Sequence, residues 1–231
     1  RLLAWCRKNG IQSTGHLSPE EDPVGQQRLI PDLMALVKDF QLPGSDLIAS
    51  NIGTRDFCII NIGQKLVASV ARQQGRREVL CEALGVSGED LDLARMKSML
   101  DWLFVLGINK IVIHGQFYSL DGHRKREAPP SIFWQAPYWP HFSALSDYIQ
   151  RVAGLLKRGE RICDVAVLYP TAHINAMLPD RQAEAEEFRQ HLGELSYALL
   201  SEQVDFDFVS EADLLACKSS SDGAQVGKAK Y

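Results

Sequence analysis

Glu78-Val79-Leu80-Cys81-Glu82, the run Leu93-Ala94-Arg95-Met96-Lys97-Ser98-Met99-Leu100-Asp101-Trp102-Leu103-Phe104-Val105-Leu106-Gly107, and Ile108-Asn109-Lys110-Ile111-Val112-Ile113-His114 decide the fold when read together. The first and third pieces are short, nearly unbroken apolar runs, as expected of strands buried on both faces. Between them, Met96, Met99, Leu100, Leu103 and Phe104 recur at helical spacing on one face, and Gly107 ends the helix. Strand, helix, strand with an apolar helix face is a parallel βαβ unit.

The same grammar extends outward in both directions. Upstream, Lys65 to Gln74 has helical composition closed by Gly75. Before it, an apolar segment around Leu33, Leu36 and Val37 leads through Pro43-Gly44 to a strand predicted over Asp46 to Ser50. At the start, Leu2 to Lys8 reads as a helix end with Asn9-Gly10 as its C-cap, and Ile11 to Thr14 as a short strand running into Gly15-His16. Downstream, a helix from Ser143 to Lys157 feeds a strand over Asp164 to Tyr169. A polar helix from Gln182 to Ser201 leads to a strand over Val204 to Val209 and a helix start at Ser210. Repeated alternation of this kind predicts a parallel sheet covered by helices, in a barrel or a doubly wound fold, and periodicity does not separate the two. A chain that opens on a helix end is expected to begin inside a fold. Lys218 to Lys230, rich in Ser, Gly, Ala and Lys without an apolar period, reads as a frayed tail.

With 231 residues, 45% of them apolar, the chain can bury a real core. A net charge of -4, with basic residues scattered apart from His123-Arg124-Lys125-Arg126, argues against nucleic acid as a partner. No apolar run is long enough to insert in a membrane. The five cysteines are far apart and lie at no metal-ligand spacing, so they read as mostly buried free thiols. Dinucleotide, nucleotide triphosphate, serine-hydrolase and zincin motifs are all missing.

Chemistry in a parallel α/β barrel gathers at the C-terminal ends of the strands, which selects His16, Asn51, Glu82 and His114. Glycoside cleavage needs one group to protonate the leaving oxygen and another to activate water or attack, and Glu82 is the carboxylate in the right position. Its structural alternative is a strand-end Glu that caps a helix or pairs with Arg. His16 and His114 suit hydrogen bonds to sugar hydroxyls or a metal, or else are satisfied structural groups. Ser131 to Pro140 is a loop rich in aromatics, including Trp134 and Trp139, that suits sugar rings or simply packs over the rim. Glu20, Glu21 and Asp22 read as a second acid, metal ligands or a solvated acidic loop.

The ordered series Arg77-Glu78-Val79-Leu80-Cys81-Glu82-Ala83, Asp101-Trp102-Leu103-Phe104-Val105-Leu106-Gly107, His114, Phe117-Tyr118-Ser119, Ala128-Pro129-Pro130, Pro137-Tyr138-Trp139-Pro140 and Asp164-Val165-Ala166-Val167-Leu168-Tyr169-Pro170 resembles glycoside hydrolase family 106, the α-L-rhamnosidases. The resemblance is strongest over residues 60–170. It implies that 1–160 is the C-terminal part of a (β/α)8 TIM-type catalytic barrel. Residues 161–231 would then open a flavodoxin-like or glutamine-amidotransferase-like α/β domain with a structural or oligomer-contact role. It also implies inverting hydrolysis of terminal α-L-rhamnosides in plant or microbial glycans, calcium in the sugar site, and a secreted or periplasmic location. Glu82 would be the general base, with the acid on an earlier strand and the two carboxyl groups roughly 6.5 to 9.5 Å apart. His16, Asn51, His114, Tyr118, Trp134 and Trp139 would contact sugar. A β-galactosidase-like enzyme and a non-catalytic carbohydrate-binding relative are the competing readings.

Overall fold

The computed structural model describes residues 1–48, 52, 62–177, 180–221 and 223–231. Helix α1 (Leu2–Lys8) ends at Asn9 as expected, but 11–14 form no strand. That segment is tied down mainly through side chains: Gln41 Oε1 accepts from Ser13 N (3.0 Å), and Leu42 N donates to Ser13 O (3.1 Å). One such backbone bond does not extend into a ladder. Two short helices follow, α2 (Pro23–Leu29) and α3 (Leu33–Asp39), with Asp22 and Asp32 accepting from first-turn N–H groups as N-caps. The composition around Pro23 carries no apolar period that marks α2.

Strands β1 (Gly44–Leu47), β2 (Leu80–Ala83) and β3 (Lys110–Ile113) form a parallel sheet in sequence order. Helices α4 (Ile62–Gln73) and α5 (Leu93–Val105) are the crossovers of this sheet. Each strand begins or ends about two residues away from its predicted limits, and that small offset matters. Asp46, expected to open a strand, and Glu82, expected to follow one, both lie inside strands and are direct register partners, with Val112 next in the row. Cys81 and Ala83, on the alternate positions of β2, are fully buried against the helices together with Met96, Met99, Leu100 and Leu103. Of the expected barrel, this sheet and its helices are what the described residues contain.

Helix α6 (Phe142–Arg158) packs on α5 and leads to β4 (Val165–Tyr169), which pairs in parallel with β5 (Phe206–Ser210). Between these strands run α7 (Thr171–Met177) and α8 (Gln182–Ser201), and β5 passes into α9 (Glu211–Leu215), capped by Ser210. Of the cysteines, Cys6, Cys81 and Cys163 are buried free thiols and Cys217 is half-buried; Cys58 lies outside the described residues. Among the described residues no helix is long and apolar enough to cross a membrane.

The two sheets are joined through α4. Leu66, Val67, Val70 and Ala71 are buried on one side of this helix, while Lys65, Ser69, Arg72 and Gln73 meet β5 and the segment before it. Ser69 Oγ accepts from Phe208 N (2.9 Å) and Gln73 Nε2 donates to Phe208 O (2.8 Å). Side chains of a helix thus satisfy strand groups that a further strand would otherwise pair. Around this seam lies an ion network: Asp207, fully buried, accepts from Arg161 (2.7 Å), Arg72 (2.8 Å) and the Tyr231 hydroxyl (2.9 Å). Asp205 accepts from Arg161 (2.5 Å and 2.8 Å) and from Lys65.

The C-terminal segment is ordered, against the frayed tail expected from its composition. Strands β6 (Lys218–Ser220), β7 (Gly223–Val226) and β8 (Ala229–Lys230) form an antiparallel sheet. It docks on α4: Lys228 N donates to Gln73 O (2.8 Å) and Arg72 Nη2 to Lys230 O (3.1 Å). Gly227, at φ +58, comes so close that a Cβ would stand 2.3 Å from Gln73 O, so only glycine fits there. Tertiary hydrogen bonds and the burial of Val226 and Ala229 supply the order that local propensity does not.

Removing the acceptor at the centre of the ion network takes from Arg72 its carboxylate and from Arg161 one of its two, at a mostly buried seam. Asp207→Ala is expected to destabilise the fold by roughly 3 to 5 kcal/mol in urea denaturation. Replacing Asp90 in the exposed Arg95–Asp90 pair should change the midpoint little.

Candidate functional site

The C-terminal end of the first sheet gathers the groups with chemical potential. The loop after α1 is fixed beside β1, since Gly15 O packs where a Cβ on Gly44 would stand. This brings His16 over the row of Asp46 and Glu82. His16 Nδ1 lies 3.1 Å from Asp46 Oδ2, and His16 Nε2 lies 3.0 Å from Glu82 Oε2. An imidazole held between two carboxylates needs a proton at each contact. Either the ring carries both, or it carries one and a carboxyl group carries the other.

The three members differ in access. The Asp46 side chain is 8% exposed, His16 34% and Glu82 31%. Solvent or a ligand therefore meets His16 and Glu82, while Asp46 stands behind them. Burial holds the Asp46 carboxyl above its ordinary range, His16 acts against this, and Glu21 and Glu82 add to it.

Glu20 underlies the whole arrangement. It is not in a solvated loop: it is fully buried, accepts from Asp46 N (3.1 Å) and Leu17 N, and its own carbonyl accepts from Gln26 Nε2. Gly63 packs so closely that a Cβ would lie 2.8 Å from the Glu20 backbone. From the next turn of the protein, Gln64 Nε2 donates to Asp46 O. The Glu20 carboxyl thus ties the loop carrying His16 to the strand carrying Asp46. Desolvation pushes its pKa up to about 8, against the two backbone N–H donors that favour the charged form.

The other candidates fall in two groups. His114 directly follows β3; its ring packs on Gly85 and edge-to-face on Phe117, and its buried Nδ1 has no partner among the described residues. Beyond it, Gln135 Nε2 donates to Phe117 O (2.8 Å), and Ser131 Oγ accepts from Phe117 N (3.2 Å) while donating to Gln135 Oε1 (3.0 Å). These bonds cross-link the 114–120 and 130–135 loops, from which Tyr118 (90% exposed) and Trp134 (62%) project into solvent. Trp139, by contrast, is engaged in packing, stacked on Phe142 and edge-on to Phe133. Asn51 lies outside the described residues. Asp46 lies inside a strand and not after one, so the strand-end rule does not select it; its signal is the parallel register, which sets it opposite Glu82.

A calcium site wants six to eight oxygen ligands. Among the described residues no group of three or more His, Cys, Asp or Glu side chains is placed to hold a metal ion. The carboxylates of Asp46 and Glu82 instead converge on the His16 ring. The described residues therefore do not fit a calcium cage.

Glu20 makes a pH-dependent contribution of known sign. A carboxyl group neutral to about pH 8 in the folded chain, but ionised above its ordinary 4.5 when unfolded, gives stability that is complete below that value. This stability is lost as pH rises towards 8. Between pH 5 and 8 the native chain should lose up to about 1.4 kcal/mol per pH unit from this group. Denaturation of Glu20→Gln over the same range should show a slope shallower by about one proton, and equal slopes would refute the assignment.

No family model matches the sequence, and no curated protein matches it. Among solved structures the chain is similar to the rhamnosidase from Novosphingobium sp. PP1Y, with a TM-score of 0.70 and 17% identity, covering 99% of this chain and 21% of that one. The chain thus spans about a fifth of that protein's length, and at this identity the likeness is one of fold: a rhamnosidase-like, mixed α/β arrangement of small parallel sheets and helices.

Proposed function

We propose that this chain is part of a glycoside hydrolase that cleaves terminal α-L-rhamnosides with inversion, as expected of family 106. Residues 1–160 would belong to its (β/α)8 barrel and 161–231 would begin the following α/β domain. The observation that carries the reading is the Asp46–His16–Glu82 chain at the C-terminal end of a parallel sheet. Glu82 is its outer carboxylate, so it is the member able to take a proton from an attacking water. His16, backed by Asp46, fixes the orientation of Glu82 and keeps a proton donor beside it. The acid comes from an earlier strand in this reading. The exposed Tyr118 and Trp134 offer apolar ring faces to sugar, with His114 nearby on the loop that carries Tyr118. Calcium is given no step, since the described residues do not form its cage.

The test is hydrolysis of an aryl α-L-rhamnoside by the full-length protein to which this chain belongs, beside its Glu82→Gln variant, with an aryl β-galactoside as control. Glu82→Gln is expected to lower kcat roughly 10²- to 10⁴-fold with unchanged folding. Trp134→Ala should raise KM several-fold and leave kcat nearly unaltered, the mark of lost binding common to ground and transition states. Galactoside cleavage would shift the assignment to a β-galactosidase-like enzyme. Turnover of neither substrate would favour a carbohydrate-binding role, and undiminished activity in Glu82→Gln would remove it as the base.

A further inference from the structure

The opposite end of the first sheet holds a second feature, a cavity of about 490 Å³, within the roughly 300 to 1,000 Å³ usual for small-molecule sites. Val79 and Asn109, which immediately precede β2 and β3, line it, so it lies below the N-terminal ends of the strands whose C-terminal ends carry Glu82 and His114. Six cationic residues line the cavity: Arg72, Arg76, Arg77, Arg161, Lys228 and Lys230. Glu160 is the lone carboxylate among the described lining residues.

The charges are not all spoken for. Arg72 and Arg161 are matched by Asp205 and Asp207. Arg76, Arg77, Lys228 and Lys230 have no carboxylate partner among the described residues. A structural explanation is that they offset the helix ends, because α4, α5 and α6 all finish at this cavity, near Gly75, Gly107 and Gly159. Each helix end carries about half a negative charge. Three such ends and Glu160 together fall short of four cations, and the buried cluster beside them holds three cationic side chains against two carboxylates. A positive excess is left at a concave site.

The site is also built from fixed parts. Asn109 Nδ2 donates to Arg77 O (2.7 Å) and its Oδ1 accepts from Val79 N (2.9 Å), which locks the turn bearing Arg76 and Arg77. On the other side, the bond from Lys228 N to Gln73 O and the close seat of Gly227 hold the C-terminal hairpin in place. We propose that this cavity binds a small oligoanion bearing a phosphoryl group, gripped by Arg76 and Arg77 from the turn before β2 and by Lys228 and Lys230 from the hairpin. Two planar guanidinium forks and two ammonium groups suit several charged oxygens on one centre. A lone carboxylate would leave most of the charge unanswered. Because the two pairs of cations come from separate elements, a bound anion would also pin the hairpin to the sheet and raise the melting temperature. The inference is independent of the glycosidase reading.

The experiment is isothermal titration calorimetry of the chain with inorganic pyrophosphate and, separately, with a hexose phosphate, at fixed ionic strength and with the uncharged hexose as control. Saturable binding of one pyrophosphate per chain is expected, with none of the uncharged hexose. Tighter binding of the hexose phosphate would identify a sugar phosphate as the ligand, and tighter binding of pyrophosphate a free phosphate; both sustain the site. Arg76→Gln and Lys228→Met, which leave the exposed surface otherwise intact, should each weaken binding about tenfold without altering the melting temperature of the unliganded chain. Should either variant alter folding, Arg77→Gln serves as the replacement. Absence of saturable binding, or binding unchanged in correctly folded variants, would overturn the proposal.

Discussion

The structure depends on a helix with no free side. Gln64, Lys65, Leu66, Val67, Ala68, Ser69, Val70, Ala71 and Gln73 of α4 are all at most 3% exposed. Burying its five large and small aliphatic residues supplies the stability, about 1.5 to 3 kcal/mol for each larger side chain. Its polar residues contribute differently. A buried ion pair gains little net free energy over apolar packing, whereas a broken one costs a great deal. The polar face of α4 therefore decides which alignment of β5 is tolerated: Ser69 and Gln73 reach Phe208 N and O, and Lys65 and Arg72 reach the carboxylates on either side of Phe206. The same helix also ends in the Gln73 carbonyl on which the C-terminal hairpin is seated.

One end of this helix reaches the candidate site and the other the basic cavity. Gln64 fixes the main chain of Asp46, and Gly63 lets α4 press on Glu20. Three carboxyl groups then meet three environments within one small region. Glu20 is sealed and held neutral to about pH 8, Asp46 is mostly buried and shifted upward, and Glu82 stands at the surface. Graded burial of chemically equivalent groups is how one site separates a base from its supports.

Most of the secondary structure was legible in the sequence because it rests on local signals. Met96 to Phe104 at helical spacing, the helix start at Ser210, and the apolar runs before Glu82 and His114 all correspond to elements. The errors have a common cause. Ile11 to Thr14 has strand composition but forms no ladder with any of the described residues, and Lys218 to Lys230 has tail composition but finds an antiparallel partner and a helix to rest on. Strand limits shifted by two residues because pairing, not propensity, sets them, and that shift hid Asp46. In the acidic loop, composition suggested solvation while Leu17 N and Asp46 N drew Glu20 inside.

By itself the sequence determined the alternation of helices and strands, the apolar faces and the placing of Glu82 towards the end of a parallel strand, since each follows from residues within one or two turns of each other. Only the tertiary structure decided which groups meet. His16 contacts Glu82 across 66 positions. Arg76 and Arg77 share a cavity with Lys228 and Lys230, although the basic residues look scattered along the chain. Such meetings depend on strand register and on the seat of one helix, and these are settled by packing that no local pattern encodes.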